Sequence, residues 1–587
     1  MAQPSSFSAR KTRWLNRFYA RLSARAQAAT GFTSQPEPRT IGSFARGRQL
    51  VAGNFQFAGY LITDSEAGLW DLKSPSVSFE EELHGFRWLD DLASVGDTPA
   101  RAAAQAWLFE WISRFGLGHG IGWTPDLTGR RLIRWINHAL FILNGQEGDA
   151  SKAYFRSLAQ QTIFLSKRWK VATAGLPRFE ALTGLIYAGL ALSGMDEHVK
   201  PALKALAREC REQIDSDGGI PTRNPEELLE VFTLLIWAAS ALSEAGWVAQ
   251  KEHLAAIERM APTLRALRHS DGGLARFHGG GRGMEGRLDY ALAASGVRTT
   301  GGIGLSMGYA RLSAGRTSVI VDASRPPQGD NSYHGHASTL AFELTSGRRP
   351  LIVNCGSGVS FSEEWQRAGR ATPSHSTLGL EGYSSSRLGK RSAGKNEMLV
   401  YTPNSVDVKQ TFDKAGASLQ VGHNGYEASH GLIHIRRFDL SHDGRTLAGE
   451  ETLVALTPED KHKFDNAMDA VKLQGIPYAV RFHLHPDVDA TLDMGGTAVS
   501  MALKSGEVWV FRHGDDVSMT LEPSVYLETN RLKPRASKQI VLSARALKYA
   551  NRVTWMLAKA QDTPDSLRDL DRDETEILPT APNRETE

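Results

Sequence analysis

Between about residues 85 and 310 the apolar positions recur every three to four residues, in stretches separated by polar turns. These stretches cover 102–112, 129–143, 154–168, 178–192, 199–213, 228–242, 254–267 and 288–294. The pattern predicts helix, short loop, helix, repeated. Glycines punctuate it at Gly116, Gly175, Gly218-Gly219 and Gly272-Gly273. Two of the breaks echo each other, Asp215-Ser216-Asp217-Gly218-Gly219 and His269-Ser270-Asp271-Gly272-Gly273. Successive helix hairpins would produce that echo, and a closed toroid of paired helices would explain it; periodicity alone leaves closure open.

After about residue 310 the period falls to two. Short runs at 317–321, 339–344, 350–354, 398–401, 406–411, 433–440, 447–454, 479–484, 497–503, 508–512 and 541–542 read as strands between turn residues. Two packed antiparallel sheets accommodate that many strands with few helices. The predicted fold class is therefore an α+β multidomain chain, an N-terminal (α/α) toroid followed by a C-terminal antiparallel β-sandwich. The expected divisions are a basic amphipathic arm over 1–40, the helical domain over 41–310, the sandwich over 311–562 and a flexible charged tail over 563–587.

Charge and composition narrow the classes. A net charge of +3 over 587 residues gives no electrostatic case for nucleic acid. The arm is locally basic, with Arg10, Lys11, Arg13, Arg17, Arg21 and Arg25 among Trp14, Leu15, Phe18, Tyr19 and Leu22. Packing onto its own domain is the first expectation for it, and weak contact with an anionic membrane surface the alternative. No run of 18 apolar residues suggests a transmembrane segment, and the first 30 residues lack the apolar core of a signal peptide. Two cysteines, Cys210 and Cys355, make no disulfide framework. A cytoplasmic address is expected ahead of a periplasmic one, and a homodimer is a candidate assembly.

Candidate chemistry concentrates at Ser332-Tyr333-His334-Gly335-His336-Ala337 and Thr372-Pro373-Ser374-His375-Ser376-Thr377. Histidines at i, i+2 on a strand or its leading loop share a face, and a third returning from a nearby segment suits proton transfer or metal binding. The same pattern also occurs in ordinary polar loops. Trp123, in the turn set by Thr124-Pro125, is the tryptophan expected to stack on a sugar, against core packing as the alternative. His423-Asn424-Gly425-Tyr426 reads as a turn whose His423 and Tyr426 reach a groove rim or merely close the turn. Arg370 could bind a carboxylate or sulfate, or pair with Glu363 or Glu364. The run His278 to Gly283 lacks the lysine and threonine of a phosphate loop and reads as a flexible loop at the toroid mouth.

Taken together, Trp123-Thr124-Pro125 with Arg130 and Trp135, Asp217-Gly218-Gly219, His334-Gly335-His336-Ala337, Phe342-Glu343-Leu344, Val353-Asn354-Cys355-Gly356, Arg370 through Thr377, His423 through Tyr426, His434-Ile435-Arg436-Arg437 and Glu522 through Tyr526 resemble the heparinase II/III-like family, relatives of polysaccharide lyases. The resemblance implies a toroid and sandwich with a substrate groove between them, and β-elimination of a uronic-acid polysaccharide or oligosaccharide. It places His334 at the catalytic histidine, and His336, Asn354 and His375 where some relatives hold a structural zinc; no organic cofactor is implied. The chain departs from the lyase pattern in the toroid. The usual Asn-His falls at Leu176-Pro177, and the usual Tyr-His segment reads Arg223-Asn224-Pro225-Glu226-Glu227. Asn354 also stands where relatives carry an aspartate, and an amide is the weaker zinc ligand.

Three readings follow. In the first, a rebuilt lyase uses Arg178, Arg223 and Asn224 against the uronate carboxylate, His334 as base, and Tyr333 or Tyr426 as acid, with Glu227 or a neighbour in the position of the lost tyrosine. In the second, Glu180 and Glu227 form a glycosidase pair. In the third, the groove binds an acidic glycan without catalysis. Each arginine equally suits a structural ion pair with Glu180, Glu226 or Glu227.

Overall fold

The computed structural model describes residues 7–26, 29–34, 37–64, 68–146, 148–299, 304–390, 397–514, 517–529 and 531–563. The expected tail lies, beyond Thr563, outside the described residues. The N-terminal part is helical: α1 Phe7–Ser23, α2 Phe44–Val51, α3 Val77–Gly85, α4 Arg87–Val95, α5 Thr98–Phe115, α6 Pro125–Asn137, α7 Ala139–Leu143, α8 Asp149–Arg168, α9 Leu176–Ala191, α10 Val199–Gln213, α11 Pro225–Glu244, α12 Lys251–Ala266 and α13 Arg287–Ala294. Helices α6, α9, α11 and α13 pack in succession, while α8 and α10 lean on α9 and α12 leans on α11. That alternation of inner and outer helices is the (α/α) toroid.

Helices α9 and α11 are buried on most sides, as their nearly unbroken apolar sequences require. Helix α6 is buried too, with its Arg130, Arg131 and Arg134 bonded to Glu180, Gln161 and Asp90. Prolines at the first turns of α6, α9 and α11 start these helices where no amide partner is needed. Helices α6 and α9 cross at a glycine pair. A Cβ on Gly129 would overlap the Glu180 carbonyl, and one on Gly184 would overlap the Gly129 backbone. Only hydrogen side chains allow that approach, which brings Arg130 of α6 onto Glu180 of α9. The echoed glycine breaks form matching turns after α10 and α12. The Asp215 amide bonds the Gly219 carbonyl at 3.1 Å, and the His269 amide bonds the Gly273 carbonyl at 2.8 Å.

The C-terminal part is built on two large antiparallel sheets, with a small two-stranded sheet of Arg387–Leu388 and Leu399–Tyr401. One runs in the order Val406–Phe412, Gly416–Tyr426, Leu432–Ser441, Thr446–Val454, Ala550–Gln561, Val508–His513, Ala498–Ala502, Asp489–Asp493. The other runs Ser518–Tyr526, Arg535–Ala546, Ile476–Leu484, Arg349–Val353, Phe342–Ser346, Thr317–Asp322, Tyr309–Ala314, with Leu378–Leu380 also on Ile476–Leu484. Their facing sides share one core, in which Phe342, Phe438, Phe482, Phe511 and Trp555 make edge and stacked ring contacts. The His423–Tyr426 segment corrects the turn expectation. It is a bulge at the end of a long strand, and both side chains are buried in the sandwich.

Candidate active site at the toroid–sandwich junction

The junction is built around Arg223, the residue before the N-cap of α11. It sits at φ +51°, and its guanidinium is spent on the sandwich side. It bonds Asp322 at 2.7 Å, the Gly308 and Arg325 carbonyls at 2.9 and 2.8 Å and the Met307 carbonyl at 3.1 Å. It also lies 4.6 Å over the Tyr309 ring, whose hydroxyl returns a 2.6 Å bond to the Arg223 carbonyl. Asp322 is held well below the usual carboxylate range by Arg223 and hydrogen bonds against the pull of burial. Arg223 is thus a structural anchor and does not offer its guanidinium to a substrate carboxylate.

Anchoring Arg223 fixes the start of α11. Asn224 is its N-cap, accepting from the Glu226 and Glu227 amides at 3.0 and 3.2 Å. The next turn therefore points Glu226 at the glycine-rich loop, where it accepts the Gly281 amide at 2.7 Å. It points Glu227 at Tyr333, whose hydroxyl donates to it at 3.4 Å. Glu227 is buried, and burial pushes its carboxyl up to about 7, with Glu180 adding to the rise. Glu180 is raised as well, by burial, although Arg130 Nε bonds it at 2.6 Å and opposes the shift.

The Tyr333-His334 loop is held from beneath by Arg370. Its guanidinium bonds the Ser332 and Gly335 carbonyls, both at 2.8 Å, and the Glu397 carbonyl at 2.7 Å. Tyr333 and His334 pack ring to ring at 4.4 Å. Gly279, at φ +86°, backs onto His334 so closely that a Cβ would stand 2.9 Å from the histidine Cβ. The loop read as flexible is therefore a fitted wall of the site. Burial, and then Arg370, lowers His334 to about 4, so the imidazole is neutral at pH 7. Burial and the facing Glu227 raise the Tyr333 phenol. Tyr333 thus joins a neutral imidazole, packed against its ring, to a half-protonated carboxyl at its hydroxyl.

Of the residues singled out from the sequence, the fold brings Tyr333, His334 and Glu227 together. The others are elsewhere or otherwise engaged. Arg178 bonds Glu209 at 3.1 Å and the Ala172 carbonyl at 2.9 Å, so its partner is none of the three glutamates considered. Arg370 is a loop brace, its guanidinium bonded to the Ser332, Gly335 and Glu397 carbonyls. Trp123 corrects the sugar-platform expectation. It is 2 % exposed, bonds the Phe115 carbonyl and packs on Trp111 and Phe164 in the toroid core. His423 and Tyr426 turn inward. His423 faces His434, and the Tyr426 hydroxyl bonds the Leu378 carbonyl at 3.2 Å.

The expected zinc position also looks different. His375 Nδ1 donates to the Ala371 carbonyl at 2.9 Å, which leaves its Nε2 to accept from His336 Nδ1 at 3.0 Å. The two histidines satisfy each other. Asn354 Oδ1 accepts the Ser376 amide at 2.9 Å, and Cys355 turns away toward His483 Nδ1 at 3.5 Å. Among the described residues no group of three His, Cys, Asp or Glu side chains could hold a metal ion. The residues present do not fit a zinc site.

Sequence reasoning gave His278 and Arg130 no role in this junction, and took Glu180 only as half of a glycosidase pair or as an arginine's partner. His278 accepts the His336 amide at 3.1 Å and faces Asp322 at 3.5 Å, tying the glycine-rich loop to the sandwich. Arg130 and Glu180 form the ion pair beside Glu227. The Gly129-Arg130 and Gly184 spacing was a legible signal, since glycine inside apolar helices marks a close crossing.

Comparison with known proteins fits this architecture. The family described as heparinase II/III-like, C-terminal, matches residues 299–556. FtsZ-localized protein C of Caulobacter vibrioides (strain NA1000 / CB15N) is 30% identical over 562 residues, covering 93% of this chain and 94% of that protein. The chain belongs to the heparinase II/III-like family. Solved members share its fold at low identity. The crystal structure of heparinase III superposes with a TM-score of 0.66 at 12% identity, covering 94% of this chain and 90% of that one. Heparan sulfate lyase HepC from Pedobacter heparinus gives 0.55 at 14%, covering 94% and 89%. Within the heparinase II/III-like fold, this chain presents a junction of Glu227, Tyr333 and His334 flanked by Arg130–Glu180.

Proposed function

We propose that this chain is a polysaccharide lyase that cleaves a uronic-acid-containing glycan by β-elimination at the Glu227–Tyr333–His334 junction. The observation that carries this reading is the meeting of three groups in complementary protonation states. A C5 proton next to an ionised carboxylate is a poor acid, so a donor must take up the charge that develops there. No arginine among the predicted clamps is free for that work. Glu227 supplies a donor of another kind, since a buried carboxyl with its pKa near 7 is substantially protonated and can hydrogen-bond a carboxylate. His334, neutral, accepts the C5 proton. The C5–H electron pair forms the C4=C5 bond, the C4–O4 bond breaks, and Tyr333 protonates O4. The products are a 4,5-unsaturated sugar and a new chain end, and solvent restores both side chains.

The test is absorbance of the conjugated double bond with a panel of uronate glycans and oligouronates. Glu227→Gln keeps a donor and should retain activity with a flatter pH profile above 7, Glu227→Ala should lose it, and His334→Ala should be inactive. Equal rates for Glu227→Gln and Glu227→Ala would remove Glu227 from the mechanism.

A second reading has support of its own. The relative that spans nearly this whole chain is named for its localisation with FtsZ. With Arg178, Arg223 and Arg370 committed to the fold, the groove suits a binding role where FtsZ is found. A fluorescent fusion that localises to FtsZ assemblies with an inert Glu227→Ala/His334→Ala groove would favour it.

A further inference from the structure

Helix α1 has two working faces. The inner one docks on the toroid, where Arg168 Nε bonds Asn16 at 2.8 Å and stacks over Tyr19, and Gln160 bonds the Ala20 carbonyl at 2.9 Å. Asn16, Ala20 and Ser23 are buried there. The opposite face carries Trp14, Phe18 and Leu22, spaced i, i+4, i+8 and so aligned along the helix. They are 64%, 49% and 49% exposed. Trp14 and Phe18 stack on each other at 5.8 Å, outside any core. Leu117, 59% exposed, sits in the turn that Arg21 holds through its carbonyl at 3.3 Å. Exposed Lys11, Arg13, Arg17, Arg21 and Arg25 surround this stripe, and the first acidic residue of the chain is Glu37.

We propose that the outward face of α1 docks on an anionic phospholipid bilayer. Charge complementarity selects the occupant. A protein groove would bury the apolar stripe against apolar surface and strand the interleaved cations. A bilayer interface takes both, rings at headgroup depth and guanidinium groups on the phosphates. The anchored inner face makes this attachment rigid, so the toroid would meet the membrane in one orientation. The inference goes beyond the glycan reading and does not depend on it.

The experiment is co-sedimentation of the full chain with vesicles of phosphatidylcholine alone or mixed with phosphatidylglycerol. Binding is expected only with phosphatidylglycerol, with release at high salt. Lys11→Gln/Arg17→Gln should weaken partitioning about 25-fold, from a factor of about five for each cation near the surface. Trp14→Glu/Phe18→Glu should abolish binding with the melting temperature unchanged, because both side chains point outward. If that variant is destabilised, the charge variant still decides. No binding of the wild type to anionic vesicles, wild-type partitioning by Lys11→Gln/Arg17→Gln, or a dimer that Trp14→Glu/Phe18→Glu splits would overturn the proposal, the last by assigning the face to a second copy.

Discussion

Replacing Glu227 by glutamine tests the electrostatics of the junction without any substrate. The carboxyl is pushed up from an ordinary value of 4.5 to about 7, chiefly by burial. A raised pKa means that the native state holds the proton more tightly than the unfolded chain. Its stabilising effect is complete below the unfolded pKa and is lost as pH rises through the native one. The difference corresponds to about 3 kcal/mol of native stability lost from acid to alkaline pH. Glutamine fills the same space and does not titrate. The variant should match the wild type near pH 4.5 and exceed it by up to about 3 kcal/mol at pH 8.5, where the wild type buries a charge. Urea denaturation followed by tryptophan emission reports the relevant region, since Trp88, Trp111, Trp123 and Trp135 are all buried in the toroid. A pH slope in the variant identical to that of the wild type would falsify the placement of Glu227 as a buried, half-protonated acid. So would a variant less stable than wild type at pH 8.5.

Other outcomes follow from the same geometry. Arg223→Met leaves Asp322 charged and buried without its partner, and should lower stability by about 3–5 kcal/mol in calorimetry. Arg223→Lys should not restore it, because one ammonium cannot reach the carboxylate and the carbonyls together. Because Asp322 has a lowered pKa, the stability this pair contributes should persist at neutral pH and fade on acidification, the reverse of Glu227. Gly184→Ala forces α6 and α9 apart and should cost about 1–3 kcal/mol, while shifting Arg130 off Glu180; a crystal structure with that ion pair unchanged would refute the crossing argument. Treatment with a chelator should leave the melting temperature unchanged, since His336 and His375 satisfy each other without metal; a clear drop on chelation would reinstate a metal there.

The sequence carried the architecture because each half has a single dominant period. Helical spacing over α5 to α12 and strand alternation beyond Tyr309 are local signals, and local signals survive in one dimension. The site was legible where residues are adjacent, as in Tyr333-His334, and where a motif fixes a helix start, as in Asn224-Pro225-Glu226-Glu227. It failed wherever a side chain's partner comes from another element. Arg178, Arg223 and Arg370 look alike in sequence, yet Glu209, Asp322 and a set of backbone carbonyls take them out of the groove. Trp123 follows a turn signal correctly and is still core, because Trp111 and Phe164 close over it. His423-Asn424-Gly425 carries a turn dipeptide, but strand pairing with Leu432–Ser441 overrides it and leaves a bulge.

The most direct test of elimination at this junction is mass spectrometry of the products from a uronate oligosaccharide cleaved in water enriched in heavy oxygen. The account predicts two fragments whose masses sum to that of the substrate, one unsaturated, with no label from solvent. Fragments that sum to substrate plus one labelled water would make the chain a hydrolase. An uncleaved substrate that still binds would contradict catalysis and leave a glycan-binding protein on a lyase fold.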